Sequence, residues 1–154
     1  MPDTNYIEFI GKYFGEPELG LLIDQLEMTE APKIPRGNID AYLQNHSKGI
    51  ELTSTDENGL DIKTLRQYPE GVLVLSNIRF YGSEVNEFNQ FEGQLPMNLI
   101  FGEDKADSLN KLTTPVWINS AKTKFRWDFE GYCLGCYFNA ECQPYKVCIQ
   151  LPIK

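Results

Sequence analysis

The chain has 154 residues, 42% hydrophobic and 12% aromatic, which excludes a disordered or low-complexity polymer. A chain of this length buries about 70% of its unfolded surface, enough for one real core in a single domain. Its 14 Lys and Arg face 22 Asp and Glu, for a net charge of -8. That balance argues against phosphate-led nucleic-acid binding and against an anionic membrane surface, and it permits a basic partner.

In chain order, Tyr6, Ile7, Phe9, Ile10, Tyr13 and Phe14 recur near helical spacing and predict a helix over Thr4 to Phe14, stopped by Gly15 and Pro17. A second helix is predicted over Glu18 to Glu27, with Leu19, Leu22, Ile23 and Leu26 on one face. Pro32 and Pro35 force an extended linker. Ile39 to Leu43 and Gly49 to Ser54 read as strands around the turn Asn45 to Gly49. Asp56 to Gly59 is turn chemistry, and Val72 to Tyr81 is the strongest strand. A polar run follows, broken by Phe88 and Phe91. Glu103 to Leu112 reads as a short helix with Ala106, Leu109 and Leu112 inward, ended before Pro115. Lys124 to Phe129, Tyr132 to Asn139 and Lys146 to Pro152 are three strands. The expected fold class is α+β: antiparallel sheet packed by helices, with a degenerate tandem helix-then-strands repeat over halves 1–80 and 93–154.

The patterns of common enzymes are missing from the sequence. His46 is the single histidine, in a polar turn, and no G-x-S-x-G elbow accompanies it. Cys133 and Cys136 form a C-x-x-C, but with no second pair and no nearby histidine it is a poor zinc site. On a strand the two thiols point to opposite faces, and with Cys142 and Cys148 they read as reduced thiols, mostly buried. Asp56, Glu57 and Asp61 lack the ligand alternation of a calcium loop. Asp128 and Glu130 share a face opposite Trp127 and Phe129, the pattern of a half-buried strand rather than of a catalytic pair. Lys122, Lys124, Phe125, Arg126 and Trp127 interleave bases and aromatics, against a global charge that disfavours nucleic acid. No cofactor or metal is expected, and the reading is of a protein that is not an enzyme.

The acid is unevenly placed. Residues 1–75 hold 13 acids and 6 bases, whereas residues 76–154 hold 9 and 8. Between Tyr81 and Asp104 there are five acids and no base. Glu84, Glu87, Phe88, Phe91 and Glu92 form a candidate contact surface for a cationic protein, aromatic anchors ringed by acid. Asp56, Glu57 and Asp61 form a second candidate patch. The N-terminus lacks the basic and apolar regions of a signal peptide, and runs such as Val72 to Leu75 are far too short to span a bilayer, so the expected location is cytoplasmic.

Larger blocks carry a resemblance. They are Ile34-Pro-Arg-Gly37, Gly49-Ile-Glu-Leu52, Leu73 to Tyr81, Gly93-Gln-Leu-Pro-Met-Asn-Leu-Ile-Phe-Gly102, Arg126-Trp-Asp-Phe-Glu-Gly-Tyr132 and Ile149-Gln-Leu-Pro152. In this order the chain resembles the small immunity-like proteins that partner bacterial polymorphic toxins. It departs from their pattern at Asn98, at Lys124-Phe125 and at Leu112-Thr-Thr-Pro115. The helix-then-strands order also looks like the repeat of the β-lactamase inhibitor protein and of the outer-membrane lipoprotein small domain. The resemblance implies an immunity protein that binds and neutralises a cognate toxin, and it implies no catalytic residue; the surplus of acid points to a basic, nuclease-like effector domain in that toxin. The alternatives are another non-catalytic binding or assembly module, or a small enzyme using Asp128 and Glu130 or Cys133 and Cys136.

Overall fold

A computed structural model describes residues 4–28, 38, 40–60, 66–82 and 87–152. Its described elements are α1 (Pro17–Gln25), β1 (Asp40–Asn45), β2 (Ile50–Asp56), β3 (Leu73–Tyr81), α2 (Lys105–Asn110), β4 (Trp117–Ile118), β5 (Lys124–Phe129), β6 (Tyr132–Phe138) and β7 (Pro144–Gln150). The strands form one antiparallel sheet in the order β1-β2-β3-β7-β6-β5-β4. This is an α+β architecture, as expected. Each half runs helix first, then an antiparallel meander, and the halves meet with last strand against last strand, β3 on β7.

Period-two alternation divides the sheet into two faces. Leu43, Leu52, Ile78, Phe80, Val147, Ile149, Leu134, Cys136, Phe125 and Trp127 form the covered face. Leu19 and Leu22 of α1 and Leu26 at its C-cap join that same cluster, and Leu109 of α2 and Leu112 just after it pack against it. Both helices therefore lie on one side. Pro17 opens α1 with its φ already set and no N–H to lose. Glu27 closes it at φ +56, with the Met28 amide donating back to the Ile23 carbonyl and Leu26 and Met28 both buried.

The N-terminal helix is not formed as expected. Only a 3-10 turn, Tyr6–Phe9, appears, capped by the Asn5 side chain. Gly11 then takes φ +90, and residues 11–14 run extended beside β3. The Gly11 amide donates to the Leu75 carbonyl (2.9 Å), the Leu75 amide to Lys12 (2.8 Å) and the Phe14 amide to Leu73 (2.9 Å). The physical reason is the sheet. β7 reaches only Asn77 to Tyr81, so the first part of β3 needs another backbone partner. The helical spacing of the aromatics still serves the core, since Tyr6 meets Phe80 and Phe91 edge to face at 5.1 and 5.8 Å.

Two smaller expectations also change. In α2, Ala106 is exposed, and Ser108 is the fully buried residue. The Ser108 hydroxyl donates to Glu103 (2.9 Å), which also accepts from the Ile100 amide (3.0 Å) and from Lys111 (2.6 Å). This carboxylate ties the preceding loop to the helix, so the polar residue faces inward. β4, only two residues long, is too short for periodicity to reveal.

Candidate functional site

Among the described residues, the second face of the sheet carries no helix. Strand register arranges its side chains in rows that cross the sheet. One row runs Gln44, Glu51, Arg79, Cys148, Gly135, Arg126, Trp117 and touches all seven strands. The next runs Tyr81, Lys146, Tyr137, Lys124 over the central four. Exposed aromatics stand near both margins: Tyr42 on β1 is 51% exposed and Trp117 on β4 is 47% exposed.

A polar knot holds the β2–β3 side of this face. Arg79 Nη1 donates to Glu51 Oε1 (3.1 Å) and to Thr53 Oγ1 (2.8 Å). The Tyr81 hydroxyl donates to the same Glu51 oxygen (3.2 Å), and the Gln44 amide donates to the other. Burial, and then the negative Glu51, push the Tyr81 phenol up to about 12, so it stays a donor at any physiological pH. Gly135 makes room for its neighbour in the row, because a Cβ there would lie 2.8 Å from the Cys148 sulfur. An open cleft of about 720 Å3 runs along β1, lined by Glu27, Met28, Tyr42, Leu43, Gln44, His46 and Glu51.

The expected contact residues are scattered by the fold. Glu84 and Asp61, with the Ile34 to Gly37 block, lie outside the described residues. Glu87 and Glu92 are exposed. Phe88 and Phe91 are not exposed anchors, being only 3% and 6% exposed. Phe88 is stacked between Tyr81 (4.1 Å) and His46 (4.2 Å), while Phe91 enters the helix-covered core against Phe80 (4.8 Å) and Tyr6. Backbone bonds pull them in: the Asn89 amide donates to His46 (2.8 Å) and the Phe91 amide to Tyr81 (2.9 Å). Gly49, at φ +68, permits this approach, since a Cβ would sit 2.2 Å from the Asn89 oxygen.

Asp56 and Glu57 serve local turns. Asp56 accepts from the Asn58 amide (2.9 Å) and Glu57 from the Gly71 amide (3.2 Å). Cys133 and Cys136 are buried on opposite faces, Cys148 is buried, and Cys142 is exposed. Burial pushes the Cys136 thiol up to about 12 and raises Cys148 as well. Asp128 and Glu130 are exposed, with Asp128 Oδ1 3.2 Å from Arg126 Nε. His46 stacks on Phe88 at the β1–β2 turn. The interleaved segment divides by alternation: Phe125 and Trp127 point into the core, and Lys124 and Arg126 onto the helix-free face. The Trp127 indole donates to the Thr113 carbonyl (2.7 Å), which anchors the approach to β4.

Sequence reasoning missed the helix-free face as a surface. Its residues come from every strand, and only register aligns them. Alternation within each strand is the one signal that could have found it. Fold and surface together define a two-layer α+β protein with one helix-free sheet face. No family model, no curated protein and no solved structure matches the chain. Among the described residues, no helix is long and apolar enough to cross a membrane.

Proposed function

We propose that this chain is a cytoplasmic immunity protein that binds and neutralises a cognate bacterial toxin by protein–protein contact, without catalysis. The observation that carries this reading is the helix-free sheet face. Tyr42 and Trp117 stand exposed at its margins, and charged and aromatic side chains cross between them. Large aromatics on a rigid polar sheet give contact area at low entropic cost, the usual anatomy of a protein-binding surface. The surplus of acid in residues 1–75 favours a toxin with a basic, nuclease-like effector domain, because complementary fields speed encounter and suppress wrong partners. The acidic residues Glu87 and Glu92 remain at the surface to contribute to that field.

A second reading is an assembly module that pairs through its sheet edge. Val116, just before the edge strand β4, and Trp117 and Ile118 on it are exposed in sequence, and an apolar edge is a template for strand addition. One experiment separates the two. The chain is co-expressed with the C-terminal effector domain of a large secreted toxin encoded beside its gene. Neutralisation predicts a stable complex on size exclusion and rescue of cell growth. No complex and no rescue would remove the toxin reading, and a homomeric or filamentous assembly in its place would favour the module.

A further inference from the structure

The row Tyr81, Lys146, Tyr137, Lys124 alternates ring and ammonium across four adjacent strands. Lys146 Nζ lies 4.7 Å from the Tyr137 ring centre and 5.8 Å from that of Tyr81, and Lys124 Nζ lies 5.2 Å from Tyr137. The rings hold both ammonium groups in place by their negative faces. The cations of the neighbouring row have acids beside them, Arg79 with Glu51 and Arg126 with Asp128. Among the described residues, neither Lys146 nor Lys124 forms an ion pair; Glu51, the acid that acts on Lys146 through space, is already bonded to Arg79.

That pattern is costly in a chain with 22 acids. Lys146 is half-buried, and its burial, together with the adjacent Arg79 charge, holds its pKa below the ordinary lysine value. A partly desolvated cation without a counterion stabilises nothing by itself. It forms a strong charge-assisted bond once an anion arrives. The lysines sit on β7 and β5, two strand spacings or about 10 Å apart, and residues three apart in a polyproline II segment share one face and span about 9 Å.

We propose that this row docks an acidic segment of the partner protein, one carboxylate meeting Lys146 and a second meeting Lys124. The proposal rests on reading the chain as a protein-binding module. The acid elsewhere draws in a basic partner, and this row takes up a carboxylate pair that such a partner presents, which sets the register of the complex. A nucleic-acid strand is the less favoured occupant. Its continuous phosphates would run past Glu51, Asp128 and the net charge of -8, with only two unpaired cations to meet them.

The test uses the purified full chain and a short fluorescein-labelled peptide with Glu at every third position. A Gln version of the peptide and an oligothymidine strand of equal length are the comparison probes. Anisotropy is read at low salt, and amide shifts are followed by NMR. The expected result is binding of the Glu peptide alone, with shifts clustered at Lys124, Tyr137 and Lys146. Lys146→Met weakens it about tenfold, and Tyr137→Leu and Lys124→Met severalfold, whereas Lys146→Arg and the off-row Lys122→Met bind as the parent does. Circular dichroism confirms that each variant folds. The proposal is overturned by equal affinity for the Gln peptide, by tighter binding of the oligothymidine, or by an unchanged Lys146→Met. No toxin enters this measurement. Peptide binding without a toxin complex removes the toxin reading alone, and a toxin complex indifferent to Lys146→Met removes the docking row alone.

Discussion

The two faces of the one sheet are built from the same strands yet have opposite chemistry. On β5, Phe125 and Trp127 enter the core, while Lys124 and Arg126 stand on the helix-free side. On β6, Leu134 and Cys136 face the helices, while Gly135 and Tyr137 face away. The covered face is apolar because α1 and α2 exclude water from it, and its contribution is stability. The other face holds its polar groups in bonds such as Arg79 to Glu51, and under the proposed function its contribution is recognition. A substitution should therefore act on folding or on binding according to its parity along the strand.

The two tryptophans sharpen that contrast most. Trp127→Ala, on the covered face, should cost about 3–5 kcal/mol in denaturant unfolding, through lost burial and the lost bond to Thr113. Trp117→Ala, on the helix-free face, should shift stability by no more than about 0.5 kcal/mol while weakening the proposed toxin complex. Equal effects on stability would break the division of labour.

Gly49→Ala tests the join between the faces. Its new Cβ meets the Asn89 oxygen at a positive φ, so stability should fall by about 2 kcal/mol and Phe88 and Phe91 should gain exposure, read by near-ultraviolet dichroism. Unchanged spectra would mean that the segment is not held by this approach.

Glu103 gives a pH signature on the covered side. Burial raises its pKa, but the Lys111 ammonium, the Ile100 amide and the Ser108 hydroxyl together hold it below its ordinary value. A carboxylate whose folded pKa is depressed stabilises the fold above its unfolded pKa, near 4.3, and that stability is lost as pH falls through the folded value. Glu103→Gln should cost about 1 kcal/mol at pH 7, and the gap from the parent should close below about pH 4. A gap that stays constant with pH would rule out the carboxylate's charge as its source.

The smallest effect is chemical. A thiol reagent should label Cys142 rapidly, while Cys133, Cys136 and Cys148 wait for unfolding. Rapid labelling of more than one thiol in the native protein would show that the sheet faces open locally.

Much of the fold is legible in the residues. The spacing of Leu19, Leu22 and Leu26 places α1, and the runs at 73–81 and 124–150 place the central strands, because these segments are long enough for their period to show. The N-terminal aromatics have an equally good helical period and still become a pairing segment, because a free edge of β3 outweighs local propensity. The candidate contact surface is the least legible part. Phe88 and Phe91 sit in a polar run, and a run of that kind reads the same whether it lies out in solvent or is laced by backbone bonds to the β1–β2 turn and the end of β3.

The sequence by itself determined the α+β class, the acid surplus of the first half, and the parity of the longer strands, since these depend on residues near one another in the chain. Only the tertiary structure decided that both helices cover one face, and that Tyr81, Lys146, Tyr137 and Lys124 stand in line on the other. Register between strands joins residues far apart in the chain, Asn77 with Gln150 and Tyr81 with Lys146, and such pairings come from the packing of the whole sheet rather than from any local pattern.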